Sequence, residues 1–191
     1  MLKLIVECCY IFLFIFLSVI SVYFFDANAP NSYYSIIMYL SMIFIIILNR
    51  KRLTPIGWGV NPFNKNGGKL ILLCFFSIYL LDRILFYFSS ISNYSLEPAN
   101  NNLFYTLVLA PILEELLFRG VVFFHYCKVV GVKSSALISS ALFTVVHFGL
   151  DIFGLISIFI SGLIFCYLTY KVKGGIYLAL TLHVLINIVS L

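Results

Sequence analysis

The sequence predicts an all-α fold, a polytopic membrane bundle of about seven transmembrane helices forming one domain over 1–191. Three observations predict it. Hydrophobic residues make up 63% of the 191 and charged residues only 10%, where soluble domains carry about 25% charged. The apolar residues gather into runs near 4–25, 32–49, 69–89, 102–126, 134–149, 152–170 and 174–191. Several fall a little short of the roughly 20 residues of an average span. The basic residues occupy alternate connections between these runs. There is no room for a separate soluble domain. The net charge of +5 follows membrane topology and does not indicate a nucleic-acid partner.

The first run follows Lys3 and precedes Ala27-Asn28-Ala29, which outlines a secretory signal. Its apolar length exceeds an h-region of about 7–15 residues, and Pro30 would sit directly after the scissile bond. It is therefore expected to remain as a helix. Between the second and third runs stand Arg50, Lys51, Arg52, Lys65 and Lys69. The stretch 53–68, rich in Pro, Gly and Asn, reads as a cytoplasmic linker with Trp58 at the interface. Lys128 and Lys133 separate the fourth and fifth runs, and Lys171 and Lys173 the sixth and seventh. The other connections carry Asp26, Glu97 and Asp151 with no Lys or Arg. This alternation expects a multi-pass protein of the cell membrane, its N-terminus cytoplasmic and its C-terminus extracytoplasmic. The five cysteines, Cys8, Cys9, Cys74, Cys127 and Cys166, lack metal-ligand spacing and read as small apolar side chains.

Polar residues inside the runs are the functional signal, because each ionised side chain costs roughly 2.5–3.5 kcal/mol at the centre of a spanning helix. Glu114, Glu115 and Arg119 lie in the fourth run. Residues four apart share a helix face, so Glu115 and Arg119 can pair. Glu114, turned by about 100° from Glu115, then faces elsewhere. The alternative is a closed ion-pair network that only holds helices together. His147 follows Phe143 by four residues, and Asn187 follows His183 by four. Asp82 and Arg83 in the third run are adjacent, so each is expected to find a partner on another helix or in water.

At a rise of about 1.5 Å per residue, Glu114 lies about 20 Å from the nearest basic loop, His147 about 21 Å, His183 about 15 Å and Asn187 about 21 Å. The four therefore converge on one level, which suggests one site. Its chemistry suits hydrolysis. Glu114 would serve as general base toward a water and His147 would share or orient that water. His183 and Asn187 would stabilise a tetrahedral oxyanion. No Ser-His-Asp set and no His-Glu-x-x-His spacing is present. No cofactor is assigned. Glu114, His147 and His183 would be the ligands if a zinc were used.

Three motifs then stand in order on successive runs: Glu114-Glu115-Leu-Leu-Phe-Arg119, Phe143-Thr-Val-Val-His147 and His183-Val-Leu-Ile-Asn187. Together they resemble the Glu-Glu-x-x-x-Arg, Phe-x-x-x-His and His-x-x-x-Asn signatures of the CAAX protease and bacteriocin-processing family, also called CPBP or Abi. The resemblance covers 103–191, which marks that segment as the catalytic core. It implies an intramembrane endopeptidase with a helical core. Eukaryotic members trim the last three residues of prenylated proteins, and bacterial relatives are linked to bacteriocin or peptide maturation, self-immunity and signalling. It also implies that Glu114 and His147 activate water, that His183 and Asn187 form the oxyanion site, and that Glu115, Arg119 and Phe143 support them. A glutamate mechanism without metal is the implied chemistry. The expected partners are a peptide or protein substrate and the lipid bilayer. Two other classes remain: a non-catalytic immunity or scaffold protein on the same fold, and a small transporter, for which no inverted repeat is present.

Overall fold

A computed structural model describes residues 31–49, 65–91, 103–147, 150–171 and 175–190, and among these every element is helical. Helix α1 spans Asn31–Leu48 and α2 Lys65–Ile91. A composite segment follows: π1 Tyr105–Leu109, α3 Ala110–Glu114, π2 Glu115–Phe123 and α4 Phe124–Val130. Helix α5 spans Val132–Val145, α6 Ile152–Lys171 and α7 Ile176–Val189. Six of the predicted runs coincide with these helices. The first run, 4–25, lies outside the described residues, as does Trp58.

Three boundaries differ from expectation. Lys65–Gly68 belong to α2 and not to the linker, since a helix can continue past the apolar stretch that buries it. The fourth run is interrupted twice by π turns. The fifth ends as a helix at Val145, so His147 stands in the turn beyond it. Among the described residues one helix, Ile152–Tyr170, is long and apolar enough to cross a membrane alone. The 14-residue helices α5 and α7 rise only about 21 Å at 1.5 Å per residue, against a hydrocarbon core of about 30 Å. The described helices therefore do not establish seven complete spans.

The π turns have local causes. Pro111 enters the first turn of α3 without an N–H to give, and the N–H of Ala110 bonds back five residues to the Tyr105 carbonyl. At the far end of π2 the Phe124 N–H likewise bonds to the Arg119 carbonyl, again five residues back. Wider turns leave carbonyls short of donors, and α5 supplies two. Ser139 Oγ donates to the Phe118 carbonyl at 2.7 Å, and Ser135 Oγ donates to that of Phe123. Chain reversal between α4 and α5 is made at Gly131, whose φ of 81° a side chain would strain.

The core forms where α2, π2, α5, α6 and α7 meet. Leu117, Phe118, Val121 and Val122 of π2 pack with Phe143, Phe165, Leu168, Leu178 and Leu182. The α5–α6 contact is the most extensive between helices. Small buried residues meet there, Ser140 on one side and Gly162 on the other, which permits close backbone approach. Asp82 of α2 accepts a hydrogen bond from Ser157 Oγ of α6. Arg83 instead lies over the Tyr79 ring of its own helix, at 5.1 Å. Cys74 and Cys166 are buried, Cys127 is half-buried, and all three are free thiols.

Candidate active site

The junction of α3 and π2 carries the two glutamates. Glu114 closes the α-helical turn and Glu115 opens the π turn. Glu115 and Arg119 are fully buried, and Glu114 is nearly so. Arg119 Nη1 lies 3.2 Å from Glu115 Oε1, the i, i+4 pairing that helical spacing expects. Arg119 Nη2 also donates to the Gly162 carbonyl of α6 at 3.4 Å. The rest of the guanidinium is held by ring faces. Its central carbon stands 4.4 Å from the Phe143 centroid and 4.9 Å from that of Phe165. An aromatic face attracts a desolvated cation by about 2 kcal/mol, which helps to offset the missing water.

His183 of α7 enters between the carboxylates. Its Nδ1 donates to Glu115 Oε1 at 3.0 Å, and its Nε2 lies 3.6 Å from Glu114 Oε2. The first is a hydrogen bond. The second exceeds the usual 2.7–3.2 Å range and is an electrostatic contact. The His183 ring stacks on Phe165 at 5.1 Å with an interplanar angle of 22°, and meets Phe143 edge-on at 5.8 Å. Phe143 thus touches Phe118, Arg119, His147 and His183 together.

His147 reaches back to its own helix. Its Nδ1 lies 2.8 Å from the Phe143 carbonyl, and its ring packs on Phe143 at 4.8 Å. A carbonyl only accepts, so Nδ1 carries the hydrogen and Nε2 is left as an acceptor in the neutral ring. No hydrogen bond or ion pair joins His147 to Glu114 among the described residues. Asn187 stands one turn beyond His183 on α7 and is half-buried. The structure therefore joins Glu114, Glu115, Arg119, Phe143 and His183 in one contiguous cluster. His147 is tied to it through the Phe143 ring, and Asn187 borders it along α7. Among the described residues no group of three or more His, Cys, Asp or Glu side chains that could hold a metal ion is found.

Two contributors carry no sequence signature. Phe165 is one of 20 phenylalanines, in a run with no charge to draw attention to it. Gly162 is one of two glycines in its helix, with Gly154, and nothing in the sequence separates the two.

Residues 99–189 match the family model described as Type II CAAX prenyl endopeptidase Rce1-like. This segment is similar to the Rce1-like family. The match takes in all three motifs and every residue of the cluster. No curated protein and no solved structure matches the chain. The Rce1-like family is a family of membrane proteases, and peptidase activity is therefore supported at the level of the family.

Proposed function

We propose that this chain is an intramembrane endopeptidase that hydrolyses a peptide bond with a water activated at Glu114. The observation that carries the reading is the continuous buried relay Glu114–His183–Glu115–Arg119 across π2 and α7. Arg119 fixes Glu115, Glu115 fixes His183 through Nδ1, and His183 presents Nε2 toward Glu114. In this reading Glu114 takes a proton from water as the hydroxide adds to the scissile carbonyl. His147, with Nε2 as acceptor, orients that water. His183 and Asn187 steady the oxyanion that forms, and the proton then passes to the leaving amine. No metal takes part in these steps.

The bilayer is part of the proposal. On α2, Leu72, Phe76, Leu80, Ile84 and Tyr87 form an exposed stripe at helical spacing, while Ile71, Cys74 and Ile78 face the core. An outward apolar face of that length suits lipid contact. We place about seven spans in the cell membrane, with the basic connections on the cytoplasmic side. The substrate is a peptide segment in or at the membrane: a prenylated C-terminus, a leader peptide or a membrane-protein segment.

A second reading has one observation in its favour. Both ring nitrogens of His183 face carboxylates, as in a closed network that braces helices in a non-catalytic immunity or scaffold protein. One experiment separates the two. Membrane and secreted peptides are compared by mass spectrometry between cells making the wild-type chain and cells making Glu114→Gln at equal levels. A peptide that accumulates uncut only in the variant supports the peptidase. Identical peptidomes with an unchanged cellular phenotype favour the bracing role.

A further inference from the structure

Arg119 is held on its α6 side by a single polar contact, the Gly162 carbonyl at 3.4 Å. That distance is already long for an N–H···O bond, so it survives only if α6 stays where it is. Gly162 also packs directly against Ser140 of α5. A Cβ built there would lie 3.0 Å from both Cβ and Oγ of Ser140 and 3.2 Å from the Ser140 Cα. The Ser140 Cβ is fixed by the α5 backbone and cannot swing away as the tip of a long side chain can. A methyl at 162 therefore drives α6 from α5 by a few tenths of an ångström.

Helix α5 cannot follow. Its Ser139 Oγ is bonded to the Phe118 carbonyl, and its Ser135 Oγ to that of Phe123. These bonds lock α5 to π2, the turn that carries Arg119. Moving α6 away from α5 therefore also moves the Gly162 carbonyl away from Arg119. Phe165, three residues on, would withdraw from both Arg119 and His183.

We propose that Gly162 is a positioning residue: its missing side chain, seated on Ser140, sets the α6 distance that aligns Arg119, Glu115 and His183. The proposal rests on the peptidase reading and adds to it a residue outside the three motifs. Gly162 touches no reacting atom in this scheme and acts through Arg119 and Phe165.

The test is a double-mutant cycle on purified full-length protein in lipid nanodiscs, using the peptide that the Glu114→Gln comparison identifies. Gly162→Ala is expected to lower kcat about tenfold with KM within about twofold, since sub-ångström misplacement of a catalytic array acts on the chemical step. Ser140→Gly removes the two side-chain atoms that the new methyl would meet. Alone it is expected to leave kcat within about twofold, and in the Gly162→Ala background to recover kcat to within about threefold of wild type. Gly154→Ala, on the same helix but against the side chains of Leu150 and Asp151, is the control and should leave kcat within about twofold. Unchanged kcat in Gly162→Ala overturns the proposal, as does a loss that Ser140→Gly fails to recover or that Gly154→Ala reproduces. Cleavage by Glu114→Gln at the wild-type rate would instead overturn the peptidase reading. The thermal unfolding midpoints of the same cycle would then show by themselves whether Gly162 and Ser140 are coupled.

Discussion

Arg119 and Glu115 face each other at 3.2 Å, and neither side chain has any exposed surface. The pair is therefore a commitment of the fold as well as of the site. Both members are needed or neither is tolerable, because a buried charge without its partner has no water to turn to.

Glu115→Gln should consequently destabilise the protein by about 3–5 kcal/mol, the usual cost of breaking a buried pair. Thermal unfolding in detergent measures it. Arg119→Lys should not be tolerated either, since an ammonium cannot lie flat between Phe143 and Phe165 as the guanidinium does.

Glu114→Gln should behave differently. It keeps the volume and removes the base, so cleavage should fall by about 10²–10⁴-fold. The unfolding midpoint should change little, because Arg119 and Glu115 stay paired. A variant that loses its fold along with its activity would mean that Glu114 is bracing the helices.

Phe165→Leu removes the ring that stacks on His183 and covers Arg119. The expected cost is about 1–2 kcal/mol of stability from the ring and cation contacts. Cleavage should fall with it, whereas the same substitution at the more exposed Phe44 should leave activity unaltered. Parallel unfolding and cleavage assays decide this.

Ser139→Ala leaves the Phe118 carbonyl without its hydroxyl donor inside the core. About 1–3 kcal/mol should be lost. Hydrogen exchange followed by mass spectrometry should locate the loosening in Glu115–Phe123 and not in α7.

Topology can be read with single cysteines. Residues introduced near Lys51, Lys128 and Lys173 should react only with reagents that reach the cytoplasm. Residues near Glu97 and Asp151 should react from outside. Labelling of both groups from the same side would remove the proposed arrangement of spans.

Much of this was legible in the sequence, for identifiable reasons. Helix positions follow from apolar runs long enough to need burial, and the described helices lie on them. The Glu115–Arg119 pair follows from four-residue spacing, which survives the change to a π turn. The approach of His183 to that pair does not, because it depends on how α7 packs on π2. Reading His183 and Asn187 as an oxyanion pair is compatible with spacing alone, yet the His183 Nδ1 proton goes to Glu115. The π turns were not legible. Pro111 hints at one of them, but the donors that make π2 tolerable, Ser135 and Ser139, sit on another helix. Phe165 was hidden because one phenylalanine in an apolar run looks like any other. Asp82 found its cross-helix partner in Ser157, while Arg83 settled on Tyr79 one turn back, a contact available within its own helix.

The turn at Glu115–Phe123 acts as an α-helix with a residue inserted, since its bonds close over five positions in place of four. A further residue added between Leu116 and Gly120 would not be absorbed by the wide turn already there. The axis would lengthen by only about 1.5 Å, but everything downstream would rotate by about 100°. Tyr126 would leave the core, and the backbone carbonyls met by Ser135 and Ser139 would point elsewhere. This stretch can therefore accept a change of side chain far more readily than a change of length. Its residue count acts as a frame that keeps the catalytic face and the packing face of one helix independently aimed.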